Sequence, residues 1–485
     1  MNKTLSIMNT ITTYKRVLSY GGLSTGLILM IVCFIKDSFL GGIIVGCIPL
    51  FLLYIYLLLI HPYWGLVTLL ILNYFIVPTI RYTHFEGLSV VIDLMIVFTL
   101  IAIIINSLVS NKINWKKICN KLIFVSSIWL VYCCLEILNP TADTNAWILS
   151  RGFTYYFFAI TLLTLLLCER YNDIKRILYI WSVLTLIGVA KGFIQHHFGF
   201  DSFESAWLHE GGGRTHLLIT GTRYFSIYAS AGIFGAVMGH AFIIFLIASF
   251  YMKKKWIRIY FFFVAFSALY GLIISGTRGA IAIPLAGIAL WTILSKKIMI
   301  FIPGIILLIC IYVFFAHTFI GQSNPYIRRI RTAFDPNEPS LVIRRENQKL
   351  FKAYLKDKPF GEGLGLSGVD VQDKFKRYTT SIPTDSWYVK IWVETGIIGL
   401  LLHIGILLYI IIHGAYIIMF HVKNRELKGI LCALLCGVFG VIISSYGNQI
   451  FGQFPIVFFI YTSITFVFIG KELDQQITNN QITKI

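Results

Sequence analysis

The stretch SGTRGAIAIP, residues 275–284, places Arg278 between two long apolar segments with no acidic residue nearby in the sequence. A guanidinium group is always charged, and its planar fork binds phosphate or carboxylate through two parallel hydrogen bonds. Ser275 could cap the following helix, whose N-terminus carries partial positive charge, and Gly276 and Gly279 would allow close backbone approach. The stretch predicts an anion site at the membrane surface. An arginine that reaches lipid phosphates is an equal alternative.

Acidic candidates for proton transfer lie in TDSWYVKIWVETGIIGL, residues 384–400. Asp385 comes directly before a predicted span, and Glu394 lies near the beginning of that span. A carboxylate at this position is either a salt-bridge partner of basic residues or a general base. His209 and His216 are weaker candidates for the base. The histidines lack the spacing of zinc sites, so no metal and no cofactor are predicted.

The elements that position these residues follow from composition. The chain has 485 residues, of which 57% are hydrophobic and 13% charged, whereas soluble domains carry about 25% charged residues. Long apolar runs must satisfy their own backbone hydrogen bonds in lipid and are therefore helices. The sequence predicts an all-α polytopic membrane protein with about 12–14 transmembrane helices and one large external loop.

Charge distribution predicts the orientation of these spans. Short lysine-rich loops such as NKINWKKICNK alternate with segments that are richer in arginine. By the positive-inside rule both termini are then cytoplasmic. The predicted parts are a membrane bundle at 1–320 of about eleven spans with an external loop at 196–224, a large extracytoplasmic loop at 321–390, three spans at 391–470 and a tail at 471–485. An arginine-rich outer face favours an anionic ligand, although long loops can carry any charge.

The large loop contains two recognisable features. SLVIRRENQKLFKAYLKDKP predicts an amphipathic helix that places Leu350, Phe351, Tyr354 and Leu355 on one face and ends at Pro359. Such a helix could lie at the lipid interface, cover a cavity or simply pack on the bundle.

Two further predictions concern this loop. Arg344 and Arg345, near the start of the predicted helix, are candidates for binding a diphosphate. The following FGEGLGLSG, residues 360–368, lacks a Walker lysine and is interpreted as a flexible hinge.

Three stretches resemble the bacterial O-antigen polymerase and O-antigen ligase superfamily, over roughly residues 175–470. They are SGTRGAIAIPLAG, RRENQKLFKAYLKDKPFGEGLG and DSWYVKIWVETGIIGL, in this order around one large loop. The family joins polyprenyl-diphosphate-linked glycans on the outer face of the cytoplasmic membrane. The resemblance implies that Arg278 binds the donor diphosphate, with Arg214 or Arg223 as its partner. These cations would stabilise the departing diphosphate.

One position departs from the ligase branch of this family. That branch has a histidine, then Asn, Ser or Gln, nine residues, Gly, two residues and Gly. Here the spacing is kept by Ser386, Gly396 and Gly399, but Asp385 stands at the histidine position. A carboxylate can still accept a proton from a sugar hydroxyl. The sequence therefore favours a polymerase of lipid-linked repeat units that builds O-antigen, capsule or exopolysaccharide, with Asp385 and Arg278 as the catalytic residues.

Two alternatives remain open at this point. An O-antigen ligase would transfer the glycan to lipid A–core by the same chemistry, and a glycolipid or anion transporter would change no covalent bond. The expected partners are a polyprenyl-diphosphate-linked oligosaccharide, the lipid bilayer, and a chain-length regulator or flippase as candidate protein partners. Nucleic acid is not expected. The predicted location is the bacterial cytoplasmic (inner) membrane.

Overall fold

The computed structural model describes residues 39–110, 113–218, 221–335 and 338–482. Apart from one two-residue antiparallel pair, β1 (Leu217–Leu218) with β2 (Gly221–Thr222), and short 3-10 and π turns, the regular elements of this part of the chain are α-helices. In chain order the helices are α1 (Phe39–Ile60), α2 (Tyr63–Thr83), α3 (Val90–Ser110), α4 (Lys121–Leu135), α5 (Thr144–Leu149), α6 (Arg151–Leu167), α7 (Tyr171–Phe198), α8 (Ser202–Trp207), α9 (Gly213–His216), α10 (Ala231–Tyr251), α11 (Lys255–Ile274), α12 (Ala282–Leu294), α13 (Ile298–His317), α14 (Pro325–Arg331), α15 (Pro339–Tyr354), α16 (Trp387–Tyr416), α17 (Arg425–Ser444), α18 (Ile456–Phe468) and α19 (Gly470–Ile482). The predicted all-α class is confirmed.

Membrane-spanning helices dominate the described chain. Nine helices there are long and apolar enough to cross a membrane, and a bent pair, Ile456–Phe468 with Gly470–Asn479, would be a tenth. Three shorter apolar helices, Ile48–Ile60, Arg278–Leu294 and Phe301–His317, lie where further spans are predicted. The predicted first span, 17–35, lies outside the described residues. The prediction of a polytopic membrane protein is therefore confirmed.

The described residues divide into two units. The smaller unit comprises those within 39–65 and 97–113, and the larger one comprises 66–96 and the residues from 114 onward. In the smaller unit, the Asn106 side-chain amide donates to the carbonyl oxygens of Leu59 and Ile60, each at 3.0 Å. These bonds satisfy the last carbonyls of α1, which have no partner within their own helix. Every candidate site residue lies in the larger unit.

The core of the larger unit is formed by α10 and α17, which are almost entirely buried. Helix α12 packs on α17 at Gly440, where a Cβ atom would lie 2.3 Å from the Ile283 carbonyl oxygen. Near the end of α17, the Ser444 hydroxyl donates to the Gly279 carbonyl at 2.7 Å. This close packing places the turn before α12 beside the end of α17.

Helix α15 is the predicted amphipathic helix, although its apolar face differs from the prediction. Phe351 and Leu355 are buried against residues 382, 389 and 393, and Tyr354 packs at the edge of this cluster. Leu350 is exposed, since it lies about 100° around the helix from Phe351. The helix ends at Tyr354, well before Pro359, so proline does not terminate it. Helix α15 packs on the bundle through this cluster.

Residues 361–368 of the glycine segment are buried or half-buried and packed, so the interpretation of the segment as a flexible hinge is wrong. Helix α16 breaks at Gly396, which has a φ of 66°. The break leaves helix carbonyls without their usual donors. The backbone N–H groups of Glu362 and Gly363 donate instead to the carbonyls of Val393 and Glu394, at 2.9 and 3.0 Å. The segment therefore supplies the hydrogen bonds that the broken helix lacks.

Glu394 belongs to the same packed region. Its side chain is fully buried and accepts from Lys390 Nζ at 2.7 Å and from the Ser367 hydroxyl at 2.6 Å. An ion pair one helical turn apart offsets the cost of burying the carboxylate. Of the two roles considered for Glu394, the structure shows the salt-bridge partner.

Candidate functional site

The turn at residues 275–278 is fixed to the bundle by its hydroxyl groups. The Ser275 hydroxyl donates to the Leu272 carbonyl at 2.7 Å and accepts from the Thr277 N–H at 3.2 Å. Ser275 therefore closes α11 and does not cap the helix that follows, contrary to the prediction. Thr277 Oγ1 donates to the Ala231 carbonyl at 2.8 Å, which fixes the turn to the start of α10. Gly276, with a φ of 57°, provides the reversal.

A cavity of about 520 Å³ lies beside this turn. Its walls come from the turn and the start of α12, from α14 and the start of α15, and from the end of α17. Its charged lining consists of four arginines and one carboxylate, namely Arg223, Arg278, Arg329, Arg344 and Glu338. Its apolar lining consists of Ile281, Ala282, Leu285, Ile330, Phe334, Leu341 and Ile443. The cavity thus combines a net positive charge with an apolar wall.

The guanidinium of Arg278 is held by the large loop. Its Nη1 donates to Thr332 Oγ1 at 2.8 Å and to Glu338 Oε1 at 2.5 Å, and its Nη2 donates to Ser340 Oγ at 3.0 Å. Burial alone would raise the pKa of Glu338, but hydrogen bonds from Ser340 and Arg278 outweigh burial and lower that pKa. The acidic partner that Arg278 lacks in its own segment is therefore Glu338, 60 residues later in the chain.

Arg223 faces Arg278 across the cavity. Its Nη1 donates to the Thr215 carbonyl and its Nη2 to Thr277 Oγ1, both at 3.0 Å. Its Nε is buried and has no hydrogen-bond partner among the described residues. Burial and the neighbouring cations Arg329 and Arg278 lower the pKa of Arg223 to about 10, so it remains charged at neutral pH. A buried, unpaired donor on a cation favours an anionic ligand.

Two further lining residues were not predicted as site residues. Arg329, on α14, donates from Nε to the Gly276 carbonyl at 2.6 Å, and burial together with Arg278 lowers its pKa. Asn448 lies just after α17, and within the described chain its buried Nδ2 has no hydrogen-bond partner. The only sequence signal for Arg329 is the RRIR run, and Asn448 gives none.

Arg344 connects the cavity to Asp385. Its Nε lies 3.9 Å from Asp385 Oδ2, and Arg344 also lines a small adjoining pocket that contains Asp385. Asp385 is not among the residues that line the large cavity. It has a φ of 43°, and its side chain is 43% exposed. The structure thus places the candidate base next to Arg344, one of the arginines that line the cavity.

The remaining candidates lie outside the cavity. Arg214 and Arg345 are exposed and do not contribute to its lining. His209 is also exposed and outside the lining. His216 is buried, where its Nε2 accepts from the Ala231 N–H at 3.0 Å and its Nδ1 lies 2.8 Å from the Gly212 carbonyl. Burial lowers its pKa to about 4, which together with these contacts makes His216 a structural residue.

The fold and this cavity define a polytopic membrane protein with an arginine-lined cavity. Residues 263–404 match a family model described as O-Antigen ligase. The match covers 142 of the 485 residues and is consistent with the O-antigen polymerase and ligase superfamily. Members of the matched family are membrane enzymes that transfer glycosyl groups. The matched segment contains Arg278, Arg329, Arg344, Glu338 and Asp385. No curated protein matches the chain.

Proposed function

We propose that this protein polymerises polyprenyl-diphosphate-linked oligosaccharide repeat units into a surface polysaccharide. The observation that carries the proposal is the convergence of Arg223, Arg278, Arg329 and Arg344 on one cavity with an apolar wall. Clustered guanidinium groups are suited to phosphate oxygens. This arrangement supports a ligand with a phosphate group attached to an apolar chain.

The apolar wall supports a lipid-linked donor. Ile281, Leu285 and Ile443 line the cavity, and Ile443 is 46% exposed on α17. A polyprenyl chain could thus leave the cavity along an apolar surface, with its diphosphate held by the arginines. In this proposal the cavity lies on the outer face of the cytoplasmic membrane, the loop 321–390 is extracytoplasmic, and both termini are cytoplasmic.

The proposed reaction is a glycosyl transfer. A hydroxyl oxygen of the acceptor attacks the anomeric carbon, and the bond from that carbon to the diphosphate oxygen breaks. The bonding electrons leave with the diphosphate, whose growing negative charge is stabilised by Arg278 and Arg223. The hydroxyl proton passes to Asp385, which sits beside Arg344 at the edge of the cavity.

An O-antigen ligase is the second candidate, and the matched family description favours it. Asp385 favours the polymerase, because the ligase branch has a histidine at this position. The two activities differ only in the acceptor, so the product distinguishes them.

A product assay tests the proposed function. The purified protein is reconstituted in lipid with a polyprenyl-diphosphate-linked repeat unit, with or without a lipid A–core acceptor. We expect a ladder of lengthening lipid-linked glycans in both cases. A single transfer that requires the core acceptor would establish a ligase instead. If no bond changes with the authentic donor present, neither enzyme activity holds.

Asp385→Asn tests the proposed base. Asparagine keeps the shape and tolerates the positive φ at this position, but it cannot accept the proton. We expect the initial rate of transfer to fall at least about 100-fold. Asp373→Asn, which changes an exposed acid of the same loop, should leave the rate unchanged. Full activity in Asp385→Asn would remove this residue from the mechanism.

A further inference from the structure

The carboxylate of Glu338 lies among the arginines that line the cavity. One oxygen, Oε1, accepts from Arg278, while Oε2 accepts from the backbone N–H groups of Ser340 and Leu341 at 2.9 and 3.2 Å. Oε2 therefore caps the first turn of α15. The side chain of Glu338 is only 14% exposed. An anion that binds Nη1 of Arg278 must displace this carboxylate, because Nη1 already donates to Thr332 and Glu338.

The cost of displacing Glu338 is the same for every anion, but the gain on binding differs between anions. A phosphodiester, such as a phospholipid headgroup, carries one negative charge, the same as Glu338. Exchange of one for the other gains no charge attraction, and α15 loses the cap that Glu338 provides. A diphosphate carries more than one negative charge, so its attraction to the four arginines can exceed that of Glu338.

We infer that Glu338 determines specificity by excluding singly charged phosphodiesters from the cavity while admitting a diphosphate. The inference rests on the proposed function, since it concerns the donor group of that same site. It also answers a physical problem, because an arginine cluster at a membrane surface is surrounded by phospholipid headgroups. An internal charge that competes with the wrong ligand weakens its binding and so contributes to specificity.

Glu338 is poorly suited to the alternative role of proton acceptor. Its two oxygens already accept from a guanidinium, two backbone N–H groups and the hydroxyl of Ser340. Groups that stabilise the charged form oppose protonation. A specificity role agrees with these contacts better than a catalytic one.

The test compares two probes, inorganic pyrophosphate and the soluble short-chain lipid dihexanoyl phosphatidylglycerol. Their dissociation constants for the full-length protein are measured by calorimetry in neutral detergent. Glu338→Gln can still cap α15 but lacks the competing charge. We expect it to lower the dissociation constants of both probes by about tenfold, because both must displace the same carboxylate, so that phosphatidylglycerol, the weaker ligand of the wild type, gains measurable binding.

Glu346→Gln is the matched control, since it removes an exposed carboxylate from the same helix. It should leave both dissociation constants unchanged. Glu338→Asn, which keeps a good capping residue, provides a second variant if Glu338→Gln folds poorly. Unchanged dissociation constants in a folded Glu338 variant, or an equal change in Glu346→Gln, would overturn the inference.

The two proposals fail in different assays. If the proposed function is wrong, the product assay shows no glycan transfer, whatever the binding preference is. If the specificity role of Glu338 is wrong, transfer proceeds while both dissociation constants are the same with and without the carboxylate. A wild-type protein that binds phosphatidylglycerol as tightly as pyrophosphate would also overturn the inference.

Discussion

Arg278→Ala should lower the rate of glycan transfer by about 100- to 1,000-fold in the reconstituted assay. This is the usual loss when one preorganised donor to a developing negative charge is removed. Arg278 lines the cavity at the start of α12 and lies near Arg223 and Arg329, whose pKa values it lowers. Without it, the departing diphosphate would keep the other cations but lose the one held at the turn.

A structural explanation of such a loss must be separated from the chemical one. Arg278 also holds the large loop through Thr332, Glu338 and Ser340. Arg278→Lys keeps the charge but loses the planar fork, and we expect at least about a tenfold loss with little change in melting temperature. Arg345→Ala, an exposed arginine outside the cavity, is the control and should keep the wild-type rate.

Two outcomes for the Arg278 variants would contradict the proposed role of Arg278. Transfer by Arg278→Ala within about threefold of the wild type would leave no role for Arg278 in stabilising the leaving group. The other contrary outcome combines three results: Arg278→Ala loses activity, its melting temperature falls markedly, and Arg278→Lys is fully active. Arg278 would then only anchor the loop.

The spans could be predicted from the sequence because each apolar run must close its own backbone hydrogen bonds in lipid. This requirement is local, so the run itself contains the information. The break at Gly396 is different. The run continues through it, and the donors that satisfy the broken turn come from residues 360–363, more than thirty positions earlier in the chain. A hydropathy profile gives no information about hydrogen bonds between residues so far apart in the chain.

The candidate site could be predicted only in part, for a related reason. Arg278 stands out because it interrupts apolar sequence, and Arg223 and Arg344 lie in segments that the topology brings to the same side. Arg329 and Glu338 are two charged residues among many in a polar loop. Their position in the cavity depends on how α14 and α15 fold back over the turn, and contacts distant in sequence determine that path.

Arg214 and Arg345 show the limit of reasoning from residue type. Arg345 is next to the cavity residue Arg344, and Arg214 lies nine positions before Arg223, so the residue type alone does not separate them. Arg345 follows Arg344 on α15 and therefore points about 100° away from it, into solvent. The sequence indicated the segments that contribute arginines to the cavity. Which arginine of a segment lines the cavity depends on the local backbone geometry.

Gly396→Ala should strongly destabilise the protein, because it adds a methyl group at the break in α16. Gly396 has a φ of 66°, and a Cβ atom would lie 1.9 Å from the Pro359 carbonyl oxygen and 2.6 Å from the Gly361 N–H nitrogen. Both obstacles are backbone atoms of the packed glycine segment, so neither can rotate away. We expect a loss of stability on the order of 3–5 kcal/mol, because the left-handed conformation and the clash act together.

Gly405→Ala is the matched control, since Gly405 lies in the same helix and a Cβ atom there would meet nothing within 4 Å. Alanine favours a helix interior over glycine by about 0.5–1 kcal/mol, so this variant should melt at or slightly above the wild-type temperature. Apparent melting temperatures in detergent, followed by tryptophan fluorescence, provide the comparison. Equal melting of the two variants would mean that the glycine segment does not complete α16. A large drop in Gly396→Ala alone would show that the glycine segment is a fixed part of the fold, because its hydrogen bonds complete the broken helix.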